Sequence, residues 1–233
     1  MSVRVISRLT AGVLLLAAIS LLAACQAQKQ TASERLARQW MPAKVAVLPF
    51  QVVEASGDDT IVRSPLTGSA FTAGAVTEGA AVALDQSLDN ALPKMTGLSL
   101  VPFNQAGAVF ERLRRQKFSL DMLQAAVETG KKLNAEGVLL GFVYRFAQRV
   151  GGPYAADRPA SAAFDLAMVR VSDGAVVWKN SFDETQQSFA DNVLAAGQYM
   201  DRGLRWFTVQ EWGDIGLHQM LQRFPWRQEK APE

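Results

Sequence analysis

Apolar residues recur along this chain with two periods, and the switches between them mark out its elements. Lys44-Val-Ala-Val-Leu-Pro-Phe50 is a continuous apolar run, the form taken by strands buried on both faces. Over residues 75–92 the period lengthens. Val76, Ala80, Leu84, Leu88 and Leu92 share one stripe of a helix that Pro93 should end. Residues 97–103 read as a second strand. Two helical segments follow at about 106–116 and 120–133, the second capped by Ser119. The period then drops to two. Residues 138–150 and 160–171 flank a loop holding Gly151-Gly152-Pro153 and Pro159, and Ser172-Asp173-Gly174 turns the chain into a third strand at 175–182. Alternation puts Phe164, Leu166 and Met168 on one face, and Val176, Trp178 and Phe182 on one face of the next strand. The end is helical again. Ser188-x-x-Asp191 and Thr208-x-x-Glu211 read as capping boxes. Val209, Trp212, Gly216, Leu217, Met220 and Phe224 form the last stripe, closed by Pro225.

No repeat or low-complexity tract divides residues 44–224, so they are expected to form one α/β domain. Its order, βα–βαα–βββ followed by a C-terminal helical pair, implies a mixed β-sheet with helices packed on it. About 180 residues bury close to 70% of the unfolded surface, ample for a stable core. Residues 225–233 read as a polar tail. Ahead of the domain, residues 26–43 (QAQKQTASERLARQWMPA) are polar and end near Pro42. As a flexible tether they would span about 24 Å.

The first residues change the picture most. Arg4 and Arg8 stand in a short stretch without acid, and the uncharged LTAGVLLLAAISLLAA follows. That run is short of the roughly 20 apolar residues a spanning helix needs, and it ends in small residues, as a secretory signal does. It closes on Leu22-Ala23-Ala24-Cys25, a tetrapeptide that resembles the lipobox of bacterial lipoproteins. The resemblance implies cleavage after residue 24, a diacylglycerol on the Cys25 thiol and an acylated Cys25 amine, and so anchorage in the lipid bilayer. Three chains, at about 0.8 kcal/mol per buried methylene, would make that anchorage effectively permanent. Gln26 stands where inner-membrane retention signals carry Asp. The resemblance therefore points to the outer membrane, facing the periplasm.

Charge and composition then exclude rather than identify. The chain has 24 Lys+Arg against 22 Asp+Glu. Removing residues 1–24 takes away Arg4 and Arg8, and the remainder is formally neutral, so the net +2 is no argument for nucleic acid. One His and one Cys leave no zinc set. His218 lies toward the polar edge of the last helix, and no Gly-x-Ser-x-Gly supplies it a nucleophile. The pairs Asp58-Asp59 and Asp183-Glu184 lack the alternating spacing of a calcium loop. Gly130-Lys131-Lys132 is not a phosphate-binding loop. The run Arg112, Arg114, Arg115 and Lys117 reads as a solvated helix face. No catalytic residue, metal or cofactor is expected.

Three strings carry a second resemblance: Val45-Ala-Val-Leu-Pro-Phe50, Gly130-Lys-Lys-Leu-Asn-Ala-Glu-Gly-Val-Leu-Leu-Gly141 and Asp173-Gly174-Ala-Val-Val-Trp178. Together with the element order they resemble the periplasmic module shared by the amino-terminal domain of TolB, the curli-secretion lipoprotein CsgG and the lipoprotein activators of penicillin-binding proteins. The resemblance covers about residues 44–182 and implies a partner or scaffold rather than an enzyme. Asn134 and Glu136-Gly137 depart from the pattern, and the C-terminal helical pair is an addition to it.

The expected binding elements are loops, which carry function out of proportion to their length. The stretch 56–74 exceeds the usual connection length and holds Pro65 and Phe71. The 151–159 loop presents Tyr154, and Trp226 beyond Pro225 is expected to be exposed. These four are the candidate partner-binding residues. The function they suggest is a lipid-anchored, non-enzymatic recruiter or activator of a periplasmic or envelope protein. The alternative is a protomer of an oligomeric outer-membrane secretion channel, with 138–150 and 160–171 as membrane-crossing strands of the 9–11 residues such strands need. A small-ligand binder or hydrolase stands behind both, supported only by ordinary carboxylates.

Overall fold

The sheet is built around one strand that is apolar on both faces. In the computed structural model, which describes residues 39–57, 59–116, 120–187 and 205–228, β6 (Gly137–Ala147) and β9 (Ser161–Arg170) are buried almost end to end. β1 (Lys44–Val47) runs parallel to β6 on one side and to β5 (Ser99–Val101) on its other side. β9 and β10 (Val176–Thr185) continue the sheet antiparallel. The order is β10-β9-β6-β1-β5, and the two-residue β2 (Gln51–Val52) pairs parallel to β6 beyond the end of β1. This is the mixed sheet of a single α/β domain that the pattern predicts.

Helices cover both faces. α1 (Ala80–Met95) and α4 (Val209–Gln222) pack on one, against Phe164, Phe182 and Leu166. α2 (Phe103–Gln116) and α3 (Met122–Lys132) pack on the other, where Ala106, Phe110, Ala125 and Ala126 meet Val138, Leu140 and Phe142. The stripes expected of α1 and α4 are buried, except that Val76 is half-buried and precedes α1. The capping box of α4 is present in both directions: the Glu211 backbone N–H donates to the Thr208 hydroxyl, and the Glu211 carboxylate accepts from the Thr208 N–H.

Several boundaries differ, for local reasons. α1 starts at Ala80, because Gly79 takes a left-handed φ of 77° and residues 74–77 instead run beside β6. It continues past Pro93, and the Thr96 N–H and hydroxyl both close the last turn on the Leu92 carbonyl, at 3.1 and 3.2 Å. The cap of α3 is Asp121, whose carboxylate accepts from the Gln124 N–H at 2.7 Å. Ser119, Ser188 and Asp191 lie outside the described residues, as do Leu22, Ala23, Ala24 and Cys25. A register shift in β10 sets Val176 opposite Val169 rather than in line with Trp178 and Phe182.

Close approach between layers depends on missing side chains. A Cβ on Gly216 of α4 would stand 2.5 Å from the Phe182 ring, and one on Gly141 of β6 would collide with the ring of Phe50. Gly216→Ala is therefore expected to force α4 off the sheet, lowering stability by about 1–3 kcal/mol in urea denaturation.

Candidate functional site

Between β2 and α1 the chain makes a long excursion whose two ends are fixed to adjacent residues of β6. The Val53 N–H donates to the Val143 carbonyl at 2.9 Å, and the Gly74 N–H returns to the Tyr144 carbonyl at 3.3 Å. The arm between them, residues 54–73, carries a hairpin of its own: β3 (Ile61–Arg63) and β4 (Ala70–Thr72), paired antiparallel. Its turn closes through the Ser64 N–H on the Ser69 carbonyl, with Gly68 at φ 67°. Period-two alternation turns one residue of each strand toward the sheet, Val62 and Phe71, and leaves their neighbours outward.

A β-bulge receives the arm. Val143 pairs with Phe164 but Arg145 pairs with Ala163, so Tyr144 is the extra residue and consecutive side chains are re-aimed. The Tyr144 ring stacks on Phe71, centroids 4.1 Å apart and planes within 9°. Arg145 holds the arm's far strand by donating to the Thr72 carbonyl at 2.7 Å, and it is itself fixed by Ser161 at 2.7 Å and Asp183 at 2.6 Å.

Beneath the arm lies a carboxylate in an apolar strand. Asp165 is only 2% exposed. It accepts from the Tyr144 hydroxyl at 3.0 Å and from the Thr67 hydroxyl at 3.3 Å, and the buried Ser64 hydroxyl is a third donor. Burial pushes its pKa up to about 6, against the pull of those hydroxyls and, more weakly, of Lys179. The Tyr144 phenol is pushed well above its usual range, first by burial and then by the neighbouring carboxylate, so it stays a donor.

A second hairpin stands near the far end of β6. β7 (Val150–Gly151) and β8 (Ala156–Arg158) present Tyr154, which is 83% exposed. The loop below it is tied down by the Trp206 N–H on the Pro153 carbonyl at 2.7 Å and by Arg149 on the Trp206 carbonyl at 3.3 Å.

Tyr154 is exposed as its loop suggests, and Pro65, at the tip of the arm, is exposed too. Phe71, at 4%, packs as a residue of a partly packed loop would, whereas Trp226, expected to be exposed, is buried at 5%. Phe71 is the plug that docks the arm. Trp226 does not leave the domain at Pro225. It meets Phe224 edge-on at 5.1 Å, and the Gln228 N–H bonds the Met95 carbonyl at the end of α1. Burying an indole on an existing aromatic cluster outweighs the local signal of a polar tail. Neither residue offers a surface to a partner.

Spacing along the sequence singles out neither Asp165, Tyr144 nor Arg145 as a site residue. The one signal is Asp165 itself, a carboxylate in the middle of a ten-residue strand whose other polar residues, Ser161 and Arg170, stand at its ends. The remaining candidates stay apart. His218 is exposed, and its ring Nδ1 meets the Asp214 carbonyl at 3.0 Å, while the Asp214 carboxylate accepts from Ser87, joining α1 to α4. Asp59 is exposed and Asp183 is engaged by Arg145. Arg114 lies over the Phe110 ring and donates to Gln51. Among the described residues, no group of three His, Cys, Asp or Glu side chains could hold a metal ion.

No family model matches the chain, and no curated protein does. Among solved structures it is similar to the PelC dodecamer from Paraburkholderia phytofirmans, with 16% identity over 80% of this chain and 89% of that one and a TM-score of 0.44. It is also similar to the lipoprotein GNA1162 from Neisseria meningitidis, with 12% identity over 69% and 97% and a TM-score of 0.38. The LpoB C-terminal domain from Escherichia coli gives 14% identity over 66% and 95% and a TM-score of 0.37. At these values the likeness assigns neither a family nor a function.

Tyr144→Phe keeps the stacked ring and removes one donor from a buried carboxylate, so a loss of about 1–3 kcal/mol is expected in urea denaturation near neutral pH. Phe71→Ala empties the plug and is expected to cost about 3–5 kcal/mol in the same measurement.

Proposed function

We propose that this chain is a lipid-anchored, non-enzymatic envelope lipoprotein. In this reading it holds a protein partner through the tip of the 54–73 arm and the Tyr154 hairpin. One observation carries the reading: the base of the arm and the Tyr154 hairpin sit toward the end of the sheet opposite to where the chain enters it, and the exposed tip of the arm lies over Asp165, midway along β6. β1 begins at Lys44 beside the start of β6, with the Ala43 N–H on the Glu136 carboxylate at 2.8 Å and the Lys44 ammonium on the Leu133 carbonyl at 2.8 Å. The arm is anchored six to seven residues further along β6, at Val143 and Tyr144, or about 20–23 Å away at the rise of a strand. A domain tethered through the chain ahead of Lys44 would then leave these loops clear of the point of attachment.

The lipobox-like string Leu22-Ala23-Ala24-Cys25 and the polar stretch behind it support the anchor and the outer-membrane, periplasm-facing location. The strings that resemble those of the TolB, CsgG and activator modules favour a partner or scaffold over an enzyme. The described residues include no helix long and apolar enough to cross a membrane.

The channel reading loses its strands. β6 and β9, which it would send through the bilayer, are covered on both faces by helices and the arm. A membrane-crossing barrel strand needs one face for lipid and the other for the lumen.

The test is photo-crosslinking in intact cells from probes placed at Pro65 and at Tyr154, with Cys25→Ala as the mislocalised control. A single envelope protein captured from both positions, and lost together with membrane attachment in the control, is the expected result. Capture of the chain by itself alone, in a detergent-stable ring, would replace the recruiter with a homo-oligomeric assembly.

A further inference from the structure

The arm is held very differently at its ends and in its middle. Its ends share backbone hydrogen bonds with β6. In between, β3 and β4 pair only with each other, as a separate two-stranded sheet. The middle is docked by the apolar burial of Val62 and Leu66 and by three further contacts: the Phe71 ring on Tyr144, Arg145 on the Thr72 carbonyl, and the Thr67 and Ser64 hydroxyls on Asp165. The last is the only one of the three whose strength depends on a proton. Asp165 also reaches back to the sheet through Tyr144, so one carboxyl group joins the arm to its seat.

We propose that the arm is a strap whose docking is tuned by the protonation of Asp165: the neutral carboxyl holds the arm on Tyr144 more firmly than the ionised one, so that the lifted form, which bares that seat, becomes more populated when Asp165 ionises. This deepens the reading of the arm as the recognition element and rests on it.

The groups facing Asp165 decide the sign. From β6 there is the Tyr144 phenol, which stays protonated. From the arm there are only the neutral Ser64 and Thr67 hydroxyls, and from β10 the Lys179 ammonium acts weakly across solvent. No cation pairs with the carboxylate directly, so the cost of taking its charge out of water prevails. Docked, the group titrates near 6. With the arm lifted and water admitted, it returns toward the ordinary value of about 4. Docking therefore takes up a proton. It is strongest below the lower value and weakens as pH rises through the upper one. Between pH 5 and pH 8 the docking constant should fall about tenfold.

Lifting would expose the Tyr144 ring beside a free carboxylate, next to the exposed Pro65. That bared surface would be populated about tenfold more at pH 8 than at pH 5.

Hydrogen–deuterium exchange of the full-length protein at pH 5 and pH 8, corrected for the intrinsic rate, tests this directly. The Ser64 and Ala73 amides bond within the arm's own hairpin, and a two-stranded hairpin off its sheet is marginal in water, so these amides are expected to lose about tenfold protection at pH 8 relative to pH 5, while β9 peptides keep theirs. Asp165→Asn should hold the arm protected at both values. Equal arm protection at the two pH values in the native protein, or an unchanged pH dependence in Asp165→Asn, would overturn the proposal. Should that variant fail to fold, Thr67→Val takes one donor from the carboxylate and must move the transition to higher pH. A transition that stays in place counts equally against it. The readout is arm motion alone, so its failure leaves a crosslinked partner standing, and the absence of any partner leaves an exchange result standing.

Discussion

The central strand β6 is apolar on both faces along nearly its whole length, and most of the architecture follows from the need to cover it. Eleven residues of extended chain reach about 36 Å. On one face α1 and α4 meet that demand. On the other, α3 is also eleven residues long, but as a helix it spans only about 16 Å. The part of β6 and β9 around Tyr144, Ala163 and Asp165 therefore needs another cover, and the 54–73 arm supplies it. An irregular connection of this length would be a liability on a solvated edge. Here it completes the second layer.

That cover is built less tightly than the rest. Elsewhere the layers meet through apolar side chains and glycines that allow backbone to approach ring. Under the arm the sheet presents a carboxylate where an apolar residue would bind the layer more firmly. Asp165 is satisfied by hydroxyls from both sides, which keeps the geometry specific, but its charge is only weakly compensated. Departures of this kind from an apolar core concentrate where a protein needs an element to move or to bind. The bulge at Tyr144 points the same way, since it turns two neighbouring side chains to the arm at the cost of a regular ladder.

Topology gives the arm its place. β1 and β6 are parallel, so their starts lie at one end of the sheet, and the segments that follow their ends lie at the other. The arm follows β2, and the Tyr154 hairpin follows β6 directly. The base of the arm and the Tyr154 hairpin, far apart in sequence, thus lie toward one end of the domain, while the arm's tip folds back over Asp165 and Ala43 and Lys44 are held at the opposite end by Glu136 and Leu133.

What the sequence by itself determined was local: the apolar run into β1, the Asp173-Gly174 turn between β9 and β10, the capping box of Thr208 and Glu211, and the stripe of α4. Each depends on residues within a turn or two of one another, so spacing alone reveals it. The lipobox-like string that ends at Cys25 is a pattern of the same kind, made of adjacent residues. Tertiary structure alone decided that Phe71 is a plug and Trp226 a core residue, that Tyr144 bulges, and that Asp165 meets Thr67 across 98 residues of chain. Those contacts exist only once the sheet has brought distant segments together, and no periodicity within a segment records which distant group will cover it.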